Sequence, residues 1–463
     1  MTVPPPARPR AADPRPGLVL ALAWTAAFSL RTGFIGLGPI LPDLAADIGL
    51  SSTAASTLVS VPTLMMGLVA VAGGALADRW GPARAIALGL AAVALGGGLR
   101  AATGSWPPLL LATVCFGAGI GIAQPALPRL VRGLFPGRIG RSTGIYASGL
   151  IAGSILAASL TLPVEDRYFP QAGWRGPLLL WGLLAAATLA VWLALLRPWA
   201  WPGSSTIADP IAPVAPVPRN PNHPQLRATN RLASATSPVL EISRDPAVIP
   251  AEPQPTTHPQ PTSPPWSPWR DRDAWAVAML FAAQGLAYYL MVAWLPAVYR
   301  ELGVDAGRTG ALVAIFNGAT LPAILGFPIL SDRLGSRRLP CLIAALLFTS
   351  GALGYVLAPT TFPLAWLWPI LAGSGVSALF AMGLVLPTDV APAGQVGAAA
   401  GMVLAVGYAG SALGPVLAGA VRDLTGGFET ALAMLPIVGL LTLLLAAVVP
   451  PAGGRPRATA GGG

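Results

Sequence analysis

The chain contains no lysine, and only 10% of its 463 residues are charged. Soluble domains carry about 25% charged residues, so this composition argues against a water-soluble protein. Histidine and cysteine are almost as scarce, at two each. His223 and His258 share one proline-rich stretch, while Cys115 and Cys341 sit in separate apolar segments, where a thiol behaves as a small hydrophobe. Neither a disulfide framework nor a metal-ligand spacing results. Asp and Glu number 18, and by this reading none falls inside an apolar segment. The segments therefore hold no cluster able to act as base, nucleophile or metal ligand. No catalytic residue, metal or cofactor is expected, and the chain does not read as an enzyme.

What is abundant is apolar sequence, at 54% of the residues. About twelve windows of 19 or more residues are nearly free of charge, the length that crosses a hydrocarbon core of about 30 Å. The first six are Leu18–Leu41, Ala54–Ala77, Arg84–Ala102, Pro108–Leu127, Ser142–Pro163 and Pro177–Leu196. The second six are Ala274–Val298, Thr309–Leu330, Leu339–Leu357, Leu364–Pro387, Val396–Val421 and Thr430–Val449. The expected fold is an all-α membrane protein with twelve transmembrane helices. Between Pro198 and Arg272, 18 of 75 residues are proline, a composition that buries too little apolar surface to offset ordering. This stretch divides the spans six and six. The expected organisation is a disordered N-terminus (1–17), a six-helix bundle (18–197), a disordered linker (198–272), a second six-helix bundle (273–450) and a disordered C-terminus (451–463).

A formal charge of +10 would suggest nucleic acid as a partner for a soluble protein. Here the arginines sort by loop instead. Seventeen flank the spans on the side of the N-terminus, and five (Arg167, Arg175, Arg300, Arg308 and Arg422) lie on the other, leaving out the interior of the linker. The positive-inside rule then places both termini in the cytoplasm. The expected partners are the lipid bilayer and a small-molecule substrate, not nucleic acid. The expected location is a bacterial inner membrane.

The two halves repeat each other. Gly74, Asp78, Arg79, Gly81 and Arg84 surround the loop after the second span, and Asp332, Arg333, Gly335 and Arg338 recur 254 residues later. Glycine permits a tight reversal there, and the carboxylates stand at the membrane side where charge is tolerated. A carboxylate at that place can reach a helix N-terminus or an arginine of the opposite half and favour one conformational state. A duplicated six-plus-six chain suggests two bundles that rock about a central site. The Gly-x-x-x-Asp-Arg-x-Gly-x-x-Arg pattern resembles the signature of the major facilitator superfamily. Finer features resemble its cyanate permease and 2-nitroimidazole transporter branch. These include Arg31 with Pro39-Ile40-Leu41, Ser60-Val-Pro62, Gly173-Trp174-Arg175, and Gln284-Gly-Leu-Ala-Tyr288-Tyr289 followed by Trp294-Leu-Pro296. That resemblance implies alternating access, import of a small cyanate-like or nitroheterocycle-like solute, and a monomer. An exporter of small toxic compounds is the alternative, and a non-transporting sensor a more distant one.

Arg31 is the first candidate for the site. It lies 13 residues into the first apolar window, roughly 20 Å deep at 1.5 Å per residue, near the midplane where transporter sites are found. A guanidinium there costs roughly 2.5–3.5 kcal/mol, and its planar fork suits small oxyanions and carboxylates. Arg100, near the end of the third span, is the second candidate. Gln124, Gln284 and Asn317 supply amides that both donate and accept, and Tyr146, Tyr288 and Tyr289 supply rings for a planar solute. A proton is the candidate coupled ion, carried by the substrate or by Asp43 or Asp47 at the outer mouth.

Overall fold

The computed structural model describes residues 16–135, 139–196, 266–392 and 395–450, with only the backbone described at 139–141 and 196. The expectations placed on residues 1–15, 197–265 and 451–463 lie outside the described residues. Among the described residues twelve helices are long and apolar enough to cross a membrane, six in each half of the chain. Spans 1–6 are Pro16–Ile48, Ser52–Trp80, Pro82–Ala102, Trp106–Leu134, Ser142–Tyr168 and Arg175–Leu195. Spans 7–12 are Arg272–Glu301, Ala306–Leu334, Arg338–Leu357, Leu364–Val390, Val396–Thr425 and Phe428–Val448. Two boundaries differ from expectation in ways that matter. The last part of the proline-rich stretch is ordered: Trp266 donates to Asp271, which caps span 7 by accepting from the N–H groups of Asp273 and Ala274. Span 5 does not stop at Pro163 but continues to Tyr168, so it carries Glu165, a buried carboxyl group.

Helices are the expected response to hydrocarbon, where each backbone polar group must find a partner within the protein. Hydroxyls inside the spans turn back on their own helix, as Ser29 does on Thr25, Thr63 on Val59 and Ser411 on Gly407. Glycine lets helices touch: a Cβ on Gly89 would stand 2.6 Å from the Gly119 carbonyl oxygen, which brings spans 3 and 4 together.

Two prolines shape the centre. Proline lacks an N–H and clashes with the carbonyl four residues earlier. In span 1, Pro39 ends the helix Pro16–Ile35 four residues upstream, and Leu37–Ile48 follows after Gly36. In span 8, Pro322 ends the helix Ala306–Gly318 four residues upstream, and Thr320–Leu334 follows. Arg31 stands one turn before the first break, and Asn317 and Thr320 bracket the second.

The bundles meet along spans 1 and 7, 2 and 11, and 5 and 8. Several side-chain hydrogen bonds cross the seam at the end of the molecule that carries Asp43. There Arg300 grips both oxygens of Asp43 at 2.6 and 3.1 Å. Asp423, on span 11, accepts from the backbone N–H groups of Ser52 and Thr53 at 2.8 Å each and from the Thr53 hydroxyl. The Trp294 indole donates to Ser56 Oγ and the Pro415 carbonyl at 3.1 Å each.

Candidate functional site

A cavity of about 70 Å³ lies between the bundles at mid-depth. A single water needs roughly 10–15 Å³, so the space holds a compact solute. Arg31 enters from span 1, and Gln284, Tyr288 and Tyr289 from span 7. Thr320 on span 8, Ser377 on span 10, and Tyr408 and Ser411 on span 11 complete its polar wall, with Phe281 and Phe380 as apolar plates.

Arg31 is the one charged residue in that lining, and no carboxylate faces it. Its Nη1 is buried and has no hydrogen-bond partner among the described residues. The guanidinium carbon lies 6.0 Å from the Phe34 ring centroid, and Tyr288, Tyr289 and Tyr408 are close enough to interact with it electrostatically. A buried donor without a partner costs roughly 1–3 kcal/mol, more for a charged group. A ligand carrying an acceptor atom could pair with that nitrogen.

The three tyrosines are held firmly. Tyr288 donates to Asn317 Oδ1 at 3.3 Å, while Asn317 Nδ2 donates to the Val313 carbonyl at 2.9 Å. Tyr288 also stacks on Phe316 and meets Tyr289 edge-on at 5.1 Å. Tyr289 in turn packs edge-on against Phe34 of span 1. Gln124 approaches Tyr408 from span 4, and a Cβ on Gly67 of span 2 would lie 3.0 Å from that of Tyr408. The site is thus assembled from both halves.

Of the residues singled out from the sequence, Arg31, Gln284, Tyr288 and Tyr289 come together in the wall. Asn317 stands behind Tyr288, and Gln124 behind Tyr408. Arg100 and Tyr146 are elsewhere. Arg100 is 1% exposed and enclosed in the first bundle. Its Nη2 donates to the Gly33 carbonyl at 3.1 Å, and its guanidinium lies 3.8 Å over the Phe116 ring. Tyr146 is half-buried, within electrostatic reach of Arg132. Sequence reasoning missed Tyr408, Thr320, Ser377 and Ser411. Depth could have found Tyr408: it stands twelve residues after Val396, where its span begins, just as Gln284 stands twelve after Arg272.

The loop motifs pair differently from the expectation. Asp78 accepts from Arg129 at 3.1 Å within its own bundle, not from the opposite half. Gly74 makes room for that arginine, since a Cβ there would lie 3.0 Å from its Nη1. Asp332 accepts from Arg337 at 2.7 Å, and Arg337 also holds Asp389 at 3.0 Å. The repeat aligns Arg338 with Arg84, yet both are exposed, as are Arg79 and Arg333. Gly335 caps its helix at φ +58°, a conformation that favours glycine; Gly81 turns at φ +86°. Among the described residues no ion pair joins the bundles at this end. The cross-bundle cap on a helix N-terminus is made by Asp423 instead, at the opposite end.

The chain matches the family model described as Major Facilitator Superfamily over residues 23–305 and 277–462. It is 25% identical to the 2-nitroimidazole transporter of Escherichia coli (strain K12) over 417 residues, covering 90% of this chain and 91% of that protein. It is also 25% identical to the cyanate transport protein CynX of the same organism over 424 residues, covering 90% and 94%. Among solved structures, the nucleoside transporter NupG (D323A mutant) superposes with a TM-score of 0.67 at 14% identity, covering 94% of this chain and all of that one.

Proposed function

The chain belongs to the Major Facilitator Superfamily, and from that premise we propose that it is a secondary transporter importing a small anion or compact polar solute by alternating access. The observation that carries this reading is Arg31, whose Nη1 lacks a hydrogen-bond partner among the described residues while Tyr289 partners the guanidinium elsewhere, in an inter-bundle cavity without a carboxylate. The cavity's size favours a solute of a few heavy atoms, and its rings favour a planar one. A cyanate-like or nitroheterocycle-like molecule meets both requirements, in keeping with the relatives' names. The lack of any acid in the cavity disfavours a cationic substrate. Co-transport of one proton would make the movement of a monoanion electroneutral. The arginine distribution supports a bacterial inner-membrane protein with both termini cytoplasmic, so the end bearing Asp78 faces the cytoplasm and the closed Asp43 end faces outward. Arg31, Gln284, Tyr288, Tyr289 and Tyr408 are the residues assigned to the substrate, and the protein acts as a monomer.

Thermal unfolding of the detergent-purified protein tests the assignment against three panels: cyanate and short carboxylates, nitroimidazoles, and lipophilic cations. A ligand at 100 times its Kd adds about 2.7 kcal/mol of stability. Stabilisation by the anions that vanishes in Arg31→Gln is expected. Stabilisation by cations alone, indifferent to that substitution, would move the protein to the exporters.

A further inference from the structure

We propose that Glu165 is a proton-binding site at the outward end of the seam, and that its protonation holds the two bundles closed there. The inference rests on the alternating-access reading above and adds a group to which that reading gives no role. Glu165 lies on span 5, which packs against span 1 of its own bundle and span 8 of the other. Its side chain is 9% exposed, and Oε2 is buried with no hydrogen-bond partner among the described residues. The other oxygen lies 3.7 Å from where a Cβ on Gly173 would stand, so the loop 169–174 covers it.

The surroundings decide which form of this carboxyl group suits the closed seam. Asp43 on span 1, Asp166 beside it on span 5, and Arg300 on span 7 all lie within electrostatic reach. Arg300 is the single cation among them, and it is already committed to both oxygens of Asp43. Of the other charges at this end, Glu429 of span 12 is exposed and several have partners of their own. Asp47 of span 1 pairs with Arg175, Asp305 with Arg308 of span 8, and Glu301 of span 7 with Arg422. Arg167 and Asp166 are exposed. An ionised Glu165 would repel Asp43 and compete with it for Arg300, across the one ion pair that ties the bundles together among the described residues. A neutral Glu165 does neither, and burial favours the neutral form of a carboxyl group. The proton comes from the outer solution, binds Oε2, and returns to the same side; the seam closes with it bound and loosens when it leaves.

The test needs no substrate, so its failure is distinct from failure of the transport reading. Spin labels are placed at Ser105 and Thr361, exposed positions at the outward end of the two bundles, with Cys115 and Cys341 replaced by alanine. Inter-label distances are measured by pulsed EPR in lipid nanodiscs from about pH 4, near the value for an unperturbed carboxyl group, upward to alkaline solution. The open-to-closed ratio should change about tenfold for each pH unit by which the two states differ in proton affinity. The unsubstituted protein is expected to be closed in acid and to gain a longer-distance population as pH rises. Glu165→Gln should remain closed throughout, and Asp166→Asn should respond as the unsubstituted protein does. Glu165→Ala, which leaves space in place of an unpaired amide, is the second neutral variant and should also lose the response. A distance distribution that ignores pH, or one that responds equally in the Glu165 variants, would overturn the proposal.

Discussion

Arg31 and Arg100 are two guanidinium groups buried in helices of one bundle, and their surroundings give them different work. Arg100 has a carbonyl and an aromatic face, with its Nε and Nη1 buried and without a hydrogen-bond partner among the described residues. A desolvated cation–π contact contributes about 2 kcal/mol and a charged hydrogen bond about 1.5–3 kcal/mol, set against an insertion cost of roughly 2.5–3.5 kcal/mol. What sets Arg31 apart is the cavity that its guanidinium lines, which Arg100 does not reach. Arg100→Ala should therefore destabilise the protein by about 2–5 kcal/mol, the range for emptying a packed site, with ligand affinity little changed. Arg31→Gln should leave unfolding without ligand nearly unaffected but weaken anion binding by about 10- to 100-fold, the equivalent of one charged hydrogen bond. Thermal unfolding and equilibrium binding on both variants check the contrast. The sequence shows that both arginines lie inside apolar spans. It does not show which one faces the seam, because a span apolar on every side has no polar stripe to mark its orientation.

At the scale of helices, the sequence is informative about breaks and less so about partners. Pro39 and Pro322 end their helices four residues upstream, as proline's ring and missing N–H allow, whereas Pro62, Pro296 and Pro415 sit inside helices that continue through them. Glu165 escaped because Pro163 and the charges after it look like the end of a span, whereas the helix runs on to Tyr168. The cap that Asp423 places on span 2 was equally hidden, since it joins residues about 370 apart in sequence. A side-chain cap contributes about 0.5–2 kcal/mol. Asp423→Asn should thus shift the balance toward opening at the outward end by up to about 30-fold. The modification rate of Ala297→Cys by a membrane-impermeant maleimide reports this, because Ala297 lines the cleft at that mouth yet is only 2% exposed. Faster labelling in the Asp423→Asn background is expected; an unchanged rate would deny the cap a part in closure.

For the whole molecule, hydropathy and the internal repeat sufficed to give twelve spans in two bundles, because span length and charge avoidance are imposed by the bilayer. The relation between the bundles was not legible. It depends on rigid-body packing, in which the Asp43 end is tied across the seam while the Asp78 and Asp332 loops are each tied within their own bundle. Between the two ends lies the central cavity, and Arg31 is the point on which the functional account turns. The most direct test is uptake of radiolabelled cyanate and of a nitroimidazole into proteoliposomes containing the purified protein, beside Arg31→Gln and protein-free vesicles. Saturable uptake of at least one of them, lost in Arg31→Gln, is the result the account predicts. Uptake equal in the variant, or no uptake above protein-free vesicles for either solute, would contradict it.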